Sequence, residues 1–250
     1  GLKMFGTKKR VALALGSGGA KGMAHVGALK ALEERGFSFC AVAGTSIGSI
    51  VGALYAKGYS ATDIGELLKA IDMKSLAFAV LAAGSVAPVK DALDRILDES
   101  DFSELALPFA AVATDAESGE EVVLRSGNVA EAVLASSAMP PFFRNVAIGD
   151  KMLMDGAFSN AVPGDVARKL GADFVIGVSL SPAERYVRGS AAAEPQRGIS
   201  SCDILLEPDL TAYAPTDVTA SAAMYEIGYE CVADRFNEIT AAMRAHHIKL

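Results

Sequence analysis

Apolar runs of strand length alternate along this chain with stretches in which apolar residues return every three or four positions. Val11 to Leu15, Phe109 to Thr114 and Phe174 to Leu180 are almost continuously apolar, as strands buried on both faces are. Ala41 to Ala43 is a shorter run of the same kind, and Glu121 to Leu124 and Asp203 to Leu206 read as further strands. Val146 to Ile148 and Met152 to Met154, joined through Gly149-Asp150, predict a tight hairpin ending at Asp155.

Helical spacing fills the intervals. A helix is predicted from about Ala24 to Glu34, and Ile47, Ile50, Val51, Leu54 and Tyr55 fall on one face of another. Val129 to Ser137 and Pro163 to Leu170 read as short helices, the second opened by a proline suited to a first turn. Thr216-Asp217 is the expected cap of a long C-terminal helix whose Val232, Phe236, Ile239 and Met243 recur on one side. Ser190 to Pro195 reads as a flexible surface connection. The repeated alternation predicts an α/β fold of three layers, α/β/α, with a mainly parallel central sheet and reactive groups on loops at the carboxyl ends of strands. A single domain over residues 11–250, after an N-terminal extension at 1–10, is the expected organisation.

Composition excludes more than it selects. A net charge of −7 and a pI of about 5.1 leave no basic stripe to track a phosphate backbone, so no nucleic-acid partner is expected. The hydrophobic fraction of 51% and mean hydropathy of +0.31 are high, but alanine and short runs carry them. No apolar segment reaches the roughly 18 residues of a membrane-spanning helix. Lys8-Lys9-Arg10 ahead of Val11 to Leu15 has the charge pattern of an export signal, yet Lys21 and His25 interrupt the apolar run, and a cytoplasmic protein is expected. Cys40, Cys202 and Cys231 are isolated, which fits reduced buried thiols rather than a disulfide framework or a zinc site. With His25, His246 and His247 as the whole histidine inventory, no metal centre and no cofactor is expected.

Candidate chemistry concentrates in Gly44-Thr45-Ser46-Ile47-Gly48, which joins the run at Ala41 to the helix starting near Ile47. A serine between two glycines on a strand-to-helix turn presents its hydroxyl as a nucleophile, and a β-carbon at Gly44 or Gly48 would crowd it. The helix N-terminus there favours developing negative charge. A second cluster, Gly16-Ser17-Gly18-Gly19-Ala20-Lys21-Gly22, follows the first strand. It is no P-loop, because Lys21-Gly22-Met23 stands where Gly-Lys-Ser/Thr is needed. A dinucleotide fingerprint fails as well: Lys21 replaces its third glycine and no acidic residue ends the second strand near Val42. The functional reading that remains is an oxyanion hole. Gly18 and Gly19 would offer backbone N–H groups, with the N–H of Ile47 from the elbow, to the oxygen that becomes negative when Ser46 attacks an ester carbonyl.

A serine hydroxyl needs a base, and the histidines fit that role poorly. His246 and His247 sit near the end of the sequence, and His25 lies on the first turn of a helix leading away from the glycine loop, where it packs or hydrogen-bonds locally. Two predicted strands precede Ser46, fewer than the α/β-hydrolase order places before its elbow. Asp115, Asp155, Asp173 and Asp203 each stand at an end of a predicted strand and are the candidate carboxylates.

The loop ending Gly19-Ala20-Lys21-Gly22, the elbow Gly44 to Gly48 and Asp155-Gly156-Ala157 resemble, in order and position, the three signatures of patatin-like phospholipases. The likeness runs from about Val11 to Leu180, and less distinctly from Cys202 to the C-terminal helix. It implies a three-layer α/β/α domain with a Ser-Asp dyad and no catalytic histidine: Ser46 as nucleophile, Asp155 as general base. Gly16, Gly22, Gly44, Gly48 and Gly156 are then the motif glycines. One departure concerns Ser17, which stands where the family's loop begins with glycine, the extra glycine being Gly16; donation by Gly18 and Gly19 is therefore the more secure. Partial desolvation would raise the pKa of Asp155 and suit it to accept a proton.

What the resemblance implies is a serine lipid acyl hydrolase working through an acyl-Ser46 intermediate on a lipid or acyl ester; no strongly basic amphipathic helix marks a lipid-surface face, so any contact with a membrane surface is expected to be transient. Leu76 to Val89, apolar and interrupted by Gly84 and Pro88, reads as a wall or lid over the acyl pocket or as an ordinary buried helix. Ser136-Ser137 and Pro140-Pro141 resemble the segment lining that family's cleft, with no chemistry assigned to them. Arg144 is either a partner for a phosphate head group or a solvated charge. The rival readings are an acyltransferase using the same acyl-enzyme and a lipid-binding scaffold that turns nothing over.

Overall fold

The computed structural model describes residues 10–71, 73–140, 143–181 and 195–250. The expected connection, from Ser190 up to Glu194, and the N-terminal extension up to residue 9 lie outside the described residues. In chain order the elements are β1 (Val11–Leu15), α1 (Met23–Glu34), β2 (Ala41–Thr45), α2 (Ile47–Lys57), α3 (Ala61–Lys69), α4 (Met73–Ala83), α5 (Ala87–Ile96), β3 (Phe109–Asp115) and β4 (Glu121–Leu124). There follow α6 (Val129–Ser136), β5 (Val146–Ile148), β6 (Lys151–Asp155), α7 (Gly164–Lys169), β7 (Phe174–Val178), α8 (Pro195–Ser200), β8 (Ile204–Leu206) and α9 (Ser221–Ala245).

The eight strands form one sheet in the order β5-β6-β3-β2-β1-β7-β8, with β4 paired to β3 off this path. From β3 to β8 every pairing is parallel, whereas β4, β5 and β6 join antiparallel. Strand alternation sorts the residues onto two unlike faces. Leu13, Leu15, Val42 and Ile176 face a large core shared with α1, α2, α6 and α9. Ala12, Ala14, Ala41 and Ala43 face the other side, where Val166 and Ala167 of α7 pack on them. Small side chains on that face let α7 approach the sheet closely, which accounts for the alanine-rich strands.

The register brings two distant segments end to end. Ala111 and Val112 of β3 pair with both β2 and β4, while Ala113 and Thr114 pair with both β4 and β6. A strand has two edges, so β2 and β6 occupy the same edge of β3 in succession. Thr45 opposes Val112 and Asp155 opposes Ala113, the next residue. The carboxyl ends of β2 and β6 therefore meet head to head, and Gly156 is needed at the junction: a β-carbon there would strike the Val112 carbonyl and lie 2.9 Å from Thr45 Cγ2.

Three expectations need correction. The C-terminal helix begins at Ser221 rather than after Thr216-Asp217, because Asp217 Oδ2 accepts the Ala214 N–H at 2.7 Å and closes a local turn instead of capping the helix. The segment from Leu76 to Val89 is not a buried helix. It spans α4 and the start of α5, turned at Gly84 (φ 65°), and leaves Phe78 73% and Leu81 81% exposed. Its α4 packs on α5, and α5 on α6, and among the described residues nothing covers that outer face enough to bury it. Finally, α7 starts at Gly164 with Pro163 just before it.

Candidate active site

Ser46 follows β2 directly and precedes the first residue of α2, and the backbone pays for that sharp reversal with φ 56° and ψ −126°, a conformation costing a non-glycine residue about 1–3 kcal/mol. Specific bonds hold it. The Ser46 N–H donates to Ser136 Oγ at 2.8 Å, and Ser136 Oγ–H in turn donates to the Val112 carbonyl. The Ser46 carbonyl accepts from the Ser49 N–H at 2.8 Å and the Ser49 hydroxyl at 2.6 Å. The elbow glycines are required for a reason slightly different from the one expected. A β-carbon at Gly44 would run into the Gly48 carbonyl, and one at Gly48 into the Leu15 carbonyl, so the crowding is against the backbone of the turn and of β1 rather than the serine.

Asp155 is 1% exposed and faces Ser46: Ser46 Oγ–H donates to Asp155 Oδ2 at 2.7 Å. Its other oxygen, Oδ1, accepts the Ala157 N–H at 2.8 Å, which fixes the plane of the carboxylate. Main-chain bonds fix the residue itself, since its N–H donates to the Ala138 carbonyl at 3.0 Å and its carbonyl accepts from Thr114 Oγ1 at 2.9 Å. Burial pushes the carboxyl pKa from 3.8 up to about 6, against the opposing hydrogen bonds from Ala157 and Ser46.

The other carboxylates are not brought to Ser46. Asp115 is half-buried at the end of β3 and held low by the Glu117 and Ser118 N–H groups of the β3–β4 turn. Asp173 accepts the Arg10 N–H just ahead of β7, and Asp203 binds Arg168 and the Val175 N–H just ahead of β8, both at the amino ends of strands and away from the elbow. His246 lies there too, 3.2 Å from Asp203 and edge-on to Phe174. His25 is fully buried, and burial drives its pKa down to about 4, so it is neutral at pH 7.

The glycine loop leaves β1 beside the elbow, since Leu15 opposes Gly44 and a β-carbon at Gly22 would strike the Ile47 side chain. The Ser17 N–H is consumed by the Ala161 carbonyl at 3.0 Å and the Ala20 N–H by the Pro215 carbonyl at 2.8 Å. Between them, the N–H groups of Gly18 and Gly19 have no acceptor among the described residues, and neither has that of Ile47. Gly19 opens a short 3₁₀ turn leading into α1, and Ile47 opens α2, so the three donors stand at helix starts that favour an anion. The Ser17 N–H, where the loop departs from the family pattern, is therefore not one of the open donors. Arg144 is exposed. Pro141 lies outside the described residues, and Ser136, for which the sequence suggested no chemistry, is the residue that holds the Ser46 peptide N–H. Among the described residues no cluster of three or more His, Cys, Asp or Glu side chains is placed to hold a metal ion, and no helix is long and apolar enough to cross a membrane.

The chain is similar to several known proteins. The family model described as patatin-like phospholipase matches residues 13–168. An uncharacterized NTE family protein of Mycobacterium tuberculosis is 34% identical over 183 residues, covering 70% of this chain and 50% of that protein. Human patatin-like phospholipase domain-containing protein 6 is 34% identical over 185 residues, covering 70% of this chain and 14% of that protein. The chain thus spans about half the length of its mycobacterial relatives. Among solved structures, VipD from Legionella pneumophila shares the fold with a TM-score of 0.60 at 12% identity, over 93% of this chain and 67% of that one. ExoU of Pseudomonas aeruginosa, in complex with SpcU, gives 0.57 at 18% identity, over 92% and 52% respectively.

Proposed function

Since the chain belongs to the patatin-like phospholipase family, we propose that it is a serine lipid acyl hydrolase with Ser46 as nucleophile and Asp155 as general base. One observation carries this reading: a serine hydroxyl on a strained elbow donates at 2.7 Å to a buried carboxylate whose pKa is lifted to about 6. The lift narrows the gap between base and hydroxyl by about 3 kcal/mol relative to a solvated aspartate.

As Ser46 Oγ attacks the acyl carbonyl, its proton passes to Asp155 Oδ2 and the carbonyl oxygen becomes negative. The N–H groups of Gly18, Gly19 and Ile47 receive that oxygen, and donors of this kind are worth about 3–4 kcal/mol each in the barrier. Collapse of the tetrahedral species releases the alcohol, which takes the proton from Asp155 and leaves an acyl group on Ser46. Water then attacks the ester. Asp155 accepts its proton, and on the second collapse the proton returns to Ser46 as the fatty acid leaves. No histidine is needed, because one carboxylate with a fixed plane and a raised pKa serves both halves of the cycle.

The test is hydrolysis of p-nitrophenyl esters of graded acyl length by the wild type, Ser46→Ala and Asp155→Asn, each checked for folding. Loss of activity in both variants, with a preference among acyl lengths in the wild type, is expected. A wild type inert on every ester would remove the reading.

A further inference from the structure

We propose that His25 is a positioning residue that holds the glycine loop so that its two open N–H groups face the reacting carbonyl. The inference rests on the hydrolase reading above and assigns to it a residue outside the dyad.

The geometry starts from one peptide plane. Nε2 of His25 lies 2.6 Å from the Gly16 carbonyl oxygen, and because a carbonyl can only accept, Nε2 carries the hydrogen and donates. The same peptide's N–H, that of Ser17, donates to the Ala161 carbonyl at 3.0 Å. Both polar groups of the 16–17 peptide are therefore anchored, on opposite sides. The Gly16 N–H adds a third tie, to the Val178 carbonyl at 2.9 Å. Downstream, the Ala20 N–H is tied to the Pro215 carbonyl, so the stretch carrying the free donors of Gly18 and Gly19 hangs between fixed points. Glycines have wide backbone freedom, and without such anchors these N–H groups would sample many directions.

The histidine is itself held rigidly. It is fully buried on α1, and α1 packs backbone to backbone on α9: a β-carbon at Gly228 would strike the carbonyl of Ala24, the residue before His25. Its Nδ1 is buried with no partner among the described residues. A buried polar atom left unpaired is costly, and an apolar side chain of similar volume would avoid that cost; what an apolar side chain lacks is the bond to Gly16. Burial also keeps the ring neutral, so it works as a fixed donor rather than as an acid or base.

The experiment compares His25→Leu, His25→Asn and His25→Gln with the wild type. Glutamine can carry an amide N–H to about the place of Nε2, whereas asparagine is too short and leucine has no donor. The readouts are kcat and KM on a p-nitrophenyl ester, and the rate of inactivation by a fluorophosphonate, from which Ser46 displaces fluoride to form a tetrahedral phosphonate ester whose phosphoryl oxygen meets the same donors. His25→Leu and His25→Asn are expected to lower kcat about 10- to 100-fold with KM within about twofold, because a small misplacement of donors acts on the transition state. Inactivation should slow in proportion, and His25→Gln should recover most of both rates. Wild-type kcat in a folded His25→Leu, equal impairment of the glutamine and asparagine variants, or a loss confined to KM would overturn the proposal. If His25→Leu does not fold, the glutamine–asparagine comparison decides. A wild type without Ser46-dependent esterase activity would bring down the hydrolase reading itself, an outcome distinct from an active enzyme indifferent to His25.

Discussion

Replacing Asp155 by asparagine should abolish catalysis and at the same time make the protein more stable. The substitution keeps the shape and both hydrogen-bonded positions: the amide oxygen can accept the Ala157 N–H, and the amide N–H can donate to Ser46 Oγ, which then acts as acceptor. What it removes is a charge that burial disfavours. With the folded pKa lifted from 3.8 to about 6, keeping the carboxylate ionised inside the fold costs about 3 kcal/mol at pH 7. The sign follows from proton binding. Between about pH 4 and 6 the folded state holds the Asp155 proton more tightly than the unfolded state, so the cost is absent below this window, grows across it and is constant above it. Burying an amide has its own cost, so the net gain expected for Asp155→Asn at pH 7 is about 1–2 kcal/mol, or about 2–8 °C in Tm for a chain of this length. Thermal unfolding followed by circular dichroism at pH 4 and pH 8 measures it. A variant less stable than the wild type at pH 8, or an advantage equal at the two pH values, would refute the reasoning.

The same carboxylate is expected to set the pH dependence of rate. Because Asp155 must be ionised to accept a proton, kcat/KM should rise with unit slope up to about pH 6 and then level off, and a profile flat through this region would remove Asp155 as the base. Ser136→Ala should lower kcat about tenfold or more and destabilise the protein by about 1–3 kcal/mol, since it strands the buried Ser46 N–H and the Val112 carbonyl together. Steady-state kinetics and urea unfolding would show both effects, and an unchanged kcat would mean that the elbow holds its strained conformation without that bond.

Much of this arrangement was legible because its signals are local. The strands announced themselves as short apolar runs, and the elbow by glycines at a fixed distance on either side of Ser46, where the turn admits no β-carbon. Asp155 was different: as one of several aspartates at strand ends, it stood out through resemblance to a motif and not through any physical signal of its own. Its meeting with Ser46 depends on β2 and β6 sharing one edge of β3, a non-local pairing that periodicity cannot reveal. Ser136 was missed for a related reason. Nothing in the letters separates it from Ser137, and only the position of α6 beside β3 turns its hydroxyl toward the Ser46 peptide. The misplaced start of α9 shows the reverse failure, in which Asp217 had the right side chain for a cap but a nearer N–H, that of Ala214, claimed it.

The claim at the centre is that the acyl group passes through Ser46. Acid-quenched reaction with a long-chain p-nitrophenyl ester, followed by peptide mass spectrometry, tests it most directly. The account predicts an acyl mass on the peptide containing Ser46 in the wild type and none in Ser46→Ala; turnover with the acyl group on another residue, or with the Ser46 variant still active, would contradict it.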